Sequence, residues 1–156
     1  MRSGGKQAVL VALAALVASL CARDVSAQVL VTADQDLSFG LVTPGVPAQV
    51  LTTDVANRAK LTVQGRGRYR ISFTLPSELT GPGGQQIPLT FGATDGRVEI
   101  RNRIETFDPV AGHEFRINPA DVSAQIYLGA RATPGTGTKA GTYSATIVMM
   151  VVQTGT

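Results

Sequence analysis

Short runs of alternating apolar and polar residues, separated by turns rich in glycine and proline, dominate the chain after residue 28. The clearest run is residues 68–75, in which Tyr69, Ile71 and Phe73 alternate with arginine, serine and threonine. Successive side chains of a β-strand point to opposite faces, so a period of two predicts strands with one buried face. No segment of useful length after residue 28 has the 3.6-residue period of an amphipathic helix, and we therefore expect an all-β fold.

The alternating runs predict eight to ten strands in a single domain over residues 28–156. Asp95-Gly96 marks a tight turn, and residues 80–84 and 132–141 are loops of glycine, proline and threonine. Many short strands without helices favour an antiparallel β-sandwich, with a β-barrel as the alternative. The predicted strands are residues 29–33, 37–41, 46–55, 59–63, 68–75, 87–91, 97–103, 115–117, 125–128 and 142–152.

The first 27 residues have the three parts of a secretory signal peptide. Arg2 and Lys6 give a positive start, residues 8–20 form an apolar run, and Val25-Ser26-Ala27 offers small residues for cleavage. Thirteen helical residues span about 20 Å, which is shorter than the roughly 30 Å hydrocarbon core of a bilayer. We therefore expect export and no transmembrane segment in the mature chain. Lipidation at Cys21 is the alternative, but Leu20 replaces the small residue that lipid attachment requires before the cysteine.

Charge and cysteine content narrow the classes of partner and site. Loss of the signal lowers the net charge from +3 to +1, so a nucleic-acid partner is not expected. Cys21 is the single cysteine in the sequence, and it lies in the signal, so the mature chain must be stable without a disulfide. One histidine and no mature cysteine exclude a Cys/His zinc site, and no cofactor is expected.

The last predicted strand is apolar on both faces. Along residues 142–152 the polar side of the alternation ends after Thr146, although a sandwich strand covered by water should keep one polar face. One explanation is that a loop covers the outer face or that the strand is central. The other is that the strand lines an apolar groove filled by a strand of another chain. The candidate groove residues are Tyr143, Ile147, Val148, Met149, Met150 and Val151.

Arg66, Arg68 and Arg70 fall on one face of a predicted strand. Alternate residues of a strand lie about 6.6 Å apart, so this row is either a solvated face or a patch for an anionic glycan, lipopolysaccharide or an acidic neighbour.

Three weaker motifs are not expected to form sites. His113 lies in a predicted surface turn, with no serine-protease signature around it. Residues 134–139 resemble a phosphate-binding loop only superficially, because no Gly-Lys-Ser/Thr opens a helix there. Asp34 and Asp36 have too few acidic neighbours for calcium. We therefore expect no catalytic residues, no metal and no enzymatic activity.

Four motifs in order resemble those of a family of small exported bacterial proteins, the domain of unknown function family 4402. This family is similar to spore-coat-protein-U-like and chaperone–usher pilin subunits. The resemblance covers nearly all of residues 29–152. The motifs are Asp36-Leu37-Ser38-Phe39-Gly40, then residues 69–76 (YRISFTLP), residues 125–129 (QIYLG) and residues 141–146 (GTYSAT).

The resemblance implies an immunoglobulin-like, pilin-like sandwich from a Gram-negative bacterium, placed in the periplasm, on the cell surface or outside the cell. Such subunits lack one strand and borrow it from another pilin-like subunit or a periplasmic chaperone. The expected function is thus a structural subunit of a fimbria or coat. The alternative is a self-sufficient envelope or extracellular module that binds an anionic glycan through its arginines.

The chain departs from these relatives at three points. The mature sequence has no cysteine, and Gln153 replaces a final aromatic residue. Only residues 28–34 precede the first motif, whereas pilins have a donor segment of ten or more residues. The alternation of Val29, Val31 and Ala33 predicts a short donor strand at most.

Overall fold

The computed structural model describes residues 29–155, and it consists almost entirely of antiparallel strands. The predicted signal segment, including Cys21, lies outside the described residues. One short 3₁₀ turn, Pro82–Gly84, interrupts the strands. The strands are β1 Leu30–Gln35, β2 Ala48–Val50, β3 Ala59–Gln64, β4 Gly67–Thr74, β5 Glu78–Thr80, β6 Gln86–Thr90, β7 Gly96–Ile100, β8 Arg103–Phe107, β9 His113–Ile117, β10 Ser123–Leu128, β11 Ala130–Ala132 and β12 Val148–Gly155.

The strands form three hydrogen-bonded sheets. The first has the order β1-β3-β10-β7-β8, the second β2-β11-β6-β5, and the third β12-β4-β9. Strands β10 and β11 are separated only by Gly129 and belong to different sheets, so the chain changes sheet at this glycine. Strands β1 and β12 each pair with one neighbour and are therefore sheet edges.

The main core lies between the first and third sheets. Tyr69 and Ile71 of β4 meet Val63, Val98 and Ile126 of the first sheet, and all five are fully or almost fully buried. A smaller cluster belongs to the second sheet and is formed by Ile87, Leu89, Ala130 and Ala132. Two packed layers of antiparallel strands confirm the predicted all-β sandwich. The immunoglobulin-like and pilin-like topology stays a prediction.

Strands that alternate clearly in sequence are found where they were expected. Residues 59–63 and 68–75 correspond to β3 and β4, and the inward positions of β4 are the predicted aromatic and isoleucine residues. Strands β1, β6, β9 and β10 also match their predicted segments to within three residues.

Several predicted strands are wrong. Residues 37–41 form no ladder, and only Ala48–Val50 of the predicted 46–55 strand is extended, because Asp54 accepts hydrogen bonds from Ala56 N and Asn57 Nδ2 and forms a turn. The predicted 97–103 strand is a hairpin that turns at Arg101 and Asn102. The last strand begins at residue 148, six residues later than predicted, and runs to residue 155.

Candidate functional site

A cleft of about 1020 Å³ lies between two stretches of chain that belong to no sheet. One wall is residues 36–44, and the other is residues 138–147. We call this cleft the groove. Its floor is apolar and is supplied by both hydrophobic clusters, so the groove lies where they meet. The floor residues are Leu61, Phe73, Leu79, Ile87, Leu89, Leu128 and Met149.

The first wall continues β1 but leaves the ladder. Ser38 N donates to Asn57 O at 2.8 Å, and Gly40 N donates to its neighbour Ser38 Oγ at 3.2 Å. Gly40 has a φ of 60°, a backbone conformation that favours glycine and cannot continue a strand. Leu37 and Phe39 are half-buried against the smaller cluster, whereas Leu41 is fully exposed.

The second wall is fixed at Tyr143 and Ser144. Thr80 and Ser144 exchange both backbone hydrogen bonds, at 2.9 and 3.0 Å, which attaches the wall to the edge of β5. The ring of Tyr143 lies directly on Gly81, where any Cβ would overlap it. Its hydroxyl donates to Lys139 O at 3.0 Å. After this anchor, residues 145–147 pair with no strand before β12 begins.

Both walls of the groove contain unpaired backbone amides. Among residues 29–155, the amides of Leu37, Phe39 and Leu41 and of residues 145–147 have no backbone hydrogen-bond partner. Backbone donors and acceptors are nearly always satisfied in folded proteins, by water where no protein group is available. An apolar floor between two unpaired backbone walls is suited to an extended peptide, whose own backbone would satisfy both sides.

The structure brings together three of the six predicted groove residues. Tyr143, Ile147 and Met149 line the groove. Val151 is half-buried against the main core, and Val148 and Met150 lie on the other side of β12.

The outer side of β12 is open to solvent. Val148 and Met150 are 56% and 60% exposed, and β12 is an edge strand rather than a central one. The explanation that a loop of the described chain covers this side is therefore wrong. A single strand-binding groove does not account for it either, because Val148 and Met150 face away from the groove. The apolar residues on the two faces of β12 need separate explanations.

The residues of the short predicted donor strand are occupied within their own chain. Val31 and Ala33 pair with Val63 and Leu61 of β3, as part of β1.

Sequence reasoning missed most of the groove, including the floor residues Leu61 and Phe73 and the wall residues Leu37 and Phe39. The motif at residues 36–40 is visible in the sequence, but its position as a groove wall depends on contacts with residues that are distant in sequence.

The three predicted patch arginines are separated by the structure. Arg68 and Arg70 share the outer face of β4, whereas Arg66 lies in the β3–β4 turn, where its carbonyl accepts from Tyr69 Oη at 3.0 Å. Arg70 pairs with Glu114 of β9 at 3.4 Å. Arg116, which sequence reasoning did not identify, is the cross-strand partner of Arg68. No local sequence signal shows that β4 pairs with β9.

Residues of two of the weaker motifs make contacts with neighbouring strands. His113 begins β9 rather than lying in a turn, stacks on Phe107 at 4.9 Å and contacts Glu105 Oε2 through Nε2 at 3.0 Å. Asp34 pairs with Lys60 at 3.9 Å and accepts from Thr62. Within residues 29–155 no cluster of three histidine, cysteine or acidic residues could hold a metal ion.

Two buried tyrosines have a raised pKa. Burial raises the pKa of Tyr69, whose side chain is fully enclosed in the main core. Burial also raises the pKa of Tyr127, although Arg58, whose guanidinium lies 3.7 Å from the ring centre, partly opposes that shift. Neither tyrosine lines the groove, so these shifts affect stability rather than binding.

In comparisons with known proteins, no family model matches this chain and no curated protein is significantly similar to it. No helix within the described part of the chain is long and apolar enough to cross a membrane.

Proposed function

We propose that this protein is an exported structural subunit that assembles by accepting a β-strand from a partner into the groove. The observation that carries the proposal is the combination of an apolar floor with two walls in which several backbone amides, those of Leu37, Phe39 and Leu41 and of residues 145–147, have no backbone partner. The signal-like segment at residues 1–27 supports assembly in the periplasm or on the cell surface.

The groove suits a strand better than a compact ligand. Side chains on one face of an inserted strand, about 6.6 Å apart, would contact floor residues such as Leu61 and Phe73. The strand backbone would meanwhile pair with residues 37–41 or 145–147. Burial of about 400 Å² of apolar surface would contribute about 10 kcal/mol before the cost of ordering the strand.

The partner strand comes from outside the subunit in this proposal. Residues 30–35 already form β1, so the N-terminal part of the mature chain is engaged with β3. The strand would come from a periplasmic chaperone, or from a second pilin-like subunit; a second copy of this chain could donate residues 30–35 only if they first leave β3. The protein would do no bond-breaking chemistry, and its specificity would come from register and from the shape of the floor.

Neighbouring residues on opposite faces provide a matched pair of variants. Ile147 lines the groove, and the adjacent Val148 does not. The full chain, with its signal segment, is expressed in a Gram-negative bacterium so that residues 28–156 reach the periplasm. Polymers are detected as ladders of bands on unboiled gels. We expect ladders from the wild type and from Val148→Gln, and loss of ladders in Ile147→Gln with unchanged circular dichroism. A folded wild-type monomer that never forms ladders would contradict self-assembly.

A synthetic peptide tests the groove without assembly. A peptide copying Val29–Leu41 has alternating apolar residues, and we expect it to raise the melting temperature of the purified monomer. The increase should vanish in Ile147→Gln but persist in Val148→Gln. An equal effect from a peptide of the same composition in scrambled order would argue against a strand site.

A further inference from the structure

The outer face of the third sheet combines exposed apolar side chains with a row of cations. Val148, Met150 and Val152 of β12 are 56%, 60% and 49% exposed and form an apolar stripe along the sheet edge. Arg68 and Arg70 follow on β4, and Arg116 follows on β9; all three are exposed. The stripe and these arginines together are called the outer face below.

The register places the stripe and the arginines on one continuous surface. Met150 lies opposite Ser72, and Val152 lies opposite Arg70, so the stripe borders the polar side of β4 directly. Arg68 in turn lies opposite Arg116. Neighbouring strands are about 4.8 Å apart, which places the arginines about 5 to 10 Å from the stripe.

The charge on this face is positive and largely uncompensated. Glu114 is the one acidic residue on these three strands, and it is paired with Arg70. Within the described residues, Arg68 and Arg116 form no ion pair. Guanidinium groups bind phosphate oxygens well because their donors match the oxygen geometry.

We propose that the outer face binds the surface of a membrane that contains anionic lipids. Interfacial protein segments bury apolar side chains about 5 to 10 Å into the boundary between headgroups and acyl chains, which matches the offset between stripe and arginines. With the edge strand β12 lowest, Val148, Met150 and Val152 enter the boundary while Arg68, Arg70 and Arg116 reach the phosphates. The groove is on the other side of β12, so this inference does not depend on the proposed function.

Two other partners fit this face less well. A hydrophilic anionic glycan would satisfy the arginines but would leave the valine and methionine side chains exposed. A second copy stacked on this face would bring further arginines and no free carboxylate to receive them, because Glu114 is already engaged. An anionic lipid surface satisfies both parts of the face at once.

Vesicle sedimentation of the mature protein tests the inference. We expect binding to vesicles of equal parts phosphatidylcholine and phosphatidylglycerol, little binding to phosphatidylcholine alone, and weaker binding as salt is raised. Arg68→Gln and Arg116→Gln should each weaken binding about fivefold, since a surface cation contributes on the order of 1 kcal/mol, and the double variant more. Met150→Ser should weaken it about tenfold, with an unchanged melting temperature.

Matched controls separate this face from exposed residues elsewhere. Val110 is 70% exposed outside the face, and Arg131 is an exposed arginine on β11, so Val110→Ser and Arg131→Gln should bind as the wild type does.

Three results would overturn the inference. The first is equal binding to neutral and anionic vesicles. The second is binding to a soluble anionic polysaccharide that depends on Arg68 but not on Met150, which would assign a glycan. The third is concentration-dependent dimerisation that Met150→Ser abolishes, without vesicle binding, which would assign a second copy.

Discussion

A methyl group added at Gly129 would meet backbone atoms of another strand. This glycine joins β10 to β11 where the chain changes sheet, and a Cβ there would overlap Val50 O and come within 3.2 Å of the carbonyl carbon of Leu51. Both atoms are backbone, so no side chain can move aside. We expect Gly129→Ala to lower the free energy of unfolding by about 2–3 kcal/mol in urea denaturation. Gly137→Ala, which meets nothing within 4 Å, should change it little, and equal losses in both would contradict this explanation.

Tyr69 makes stability sensitive to alkaline pH. Its pKa is raised by burial above the ordinary value of 10.0, so the folded state keeps the phenolic proton at a pH where the unfolded chain has lost it. The contribution of Tyr69 is therefore complete below about pH 10 and declines as the pH rises through the folded pKa. We expect the urea midpoint of the wild type to fall more steeply above about pH 10 than that of Tyr69→Phe. Parallel declines would mean that another group causes the alkaline loss.

At the scale of elements, the β7–β8 hairpin contains local strain. Its two turn residues are Arg101 and Asn102, and Arg101 has a φ of 56°, which residues with a Cβ adopt at a cost. We expect Arg101→Gly to raise the free energy of unfolding by about 0.5–1 kcal/mol. Asn102, which has no positive φ, is the control, and Asn102→Gly should give no gain. Stabilisation by both would indicate an effect of chain flexibility rather than of φ.

Predicted elements are correct where one face of the strand is buried by the sheet. The inward residues of β4 alternate cleanly, and their pattern alone gives the strand and its buried face. The 46–55 and 97–103 predictions fail for a different reason, because turns at Asp54 and Arg101 carry neither glycine nor proline. An aspartate that captures nearby amides ends a strand as effectively as glycine does, but it resembles an ordinary polar residue in the sequence.

The candidate site is predictable only in part, for reasons of topology. Tyr143, Ile147 and Met149 were identified because apolar character near the C-terminus is a local signal. The opposite wall at residues 36–44 resembles a strand in sequence, and only its loss of ladder contacts makes it a wall. The outer-face arginine Arg116 was missed because it meets Arg68 through the β4–β9 pairing, which joins strands of distant segments.

At the scale of the whole molecule, the groove and the outer face are two separate surfaces, and β12 is the edge strand next to both. The groove has an apolar floor and unpaired backbone amides in its walls. The outer face instead combines the exposed apolar side chains of β12 with the arginines of β4 and β9. An edge strand such as β12, with eight residues and exposed apolar side chains, invites pairing with other chains unless something covers it. A subunit that uses one side for assembly and the other for a lipid surface would leave neither side exposed.

Amide hydrogen exchange distinguishes these two uses across the whole chain. In the monomer we expect the slowest exchange in β3, β4 and β10, which are paired on both sides and buried, and the fastest in residues 36–44 and 145–147. Strand addition would supply partners to the walls, so assembly should slow exchange there and leave the β7–β8 hairpin unchanged. Vesicle binding through side chains of the outer face should slow neither wall. Protection of the walls on vesicles alone, or no protection on assembly, would show that the groove does not accept a strand.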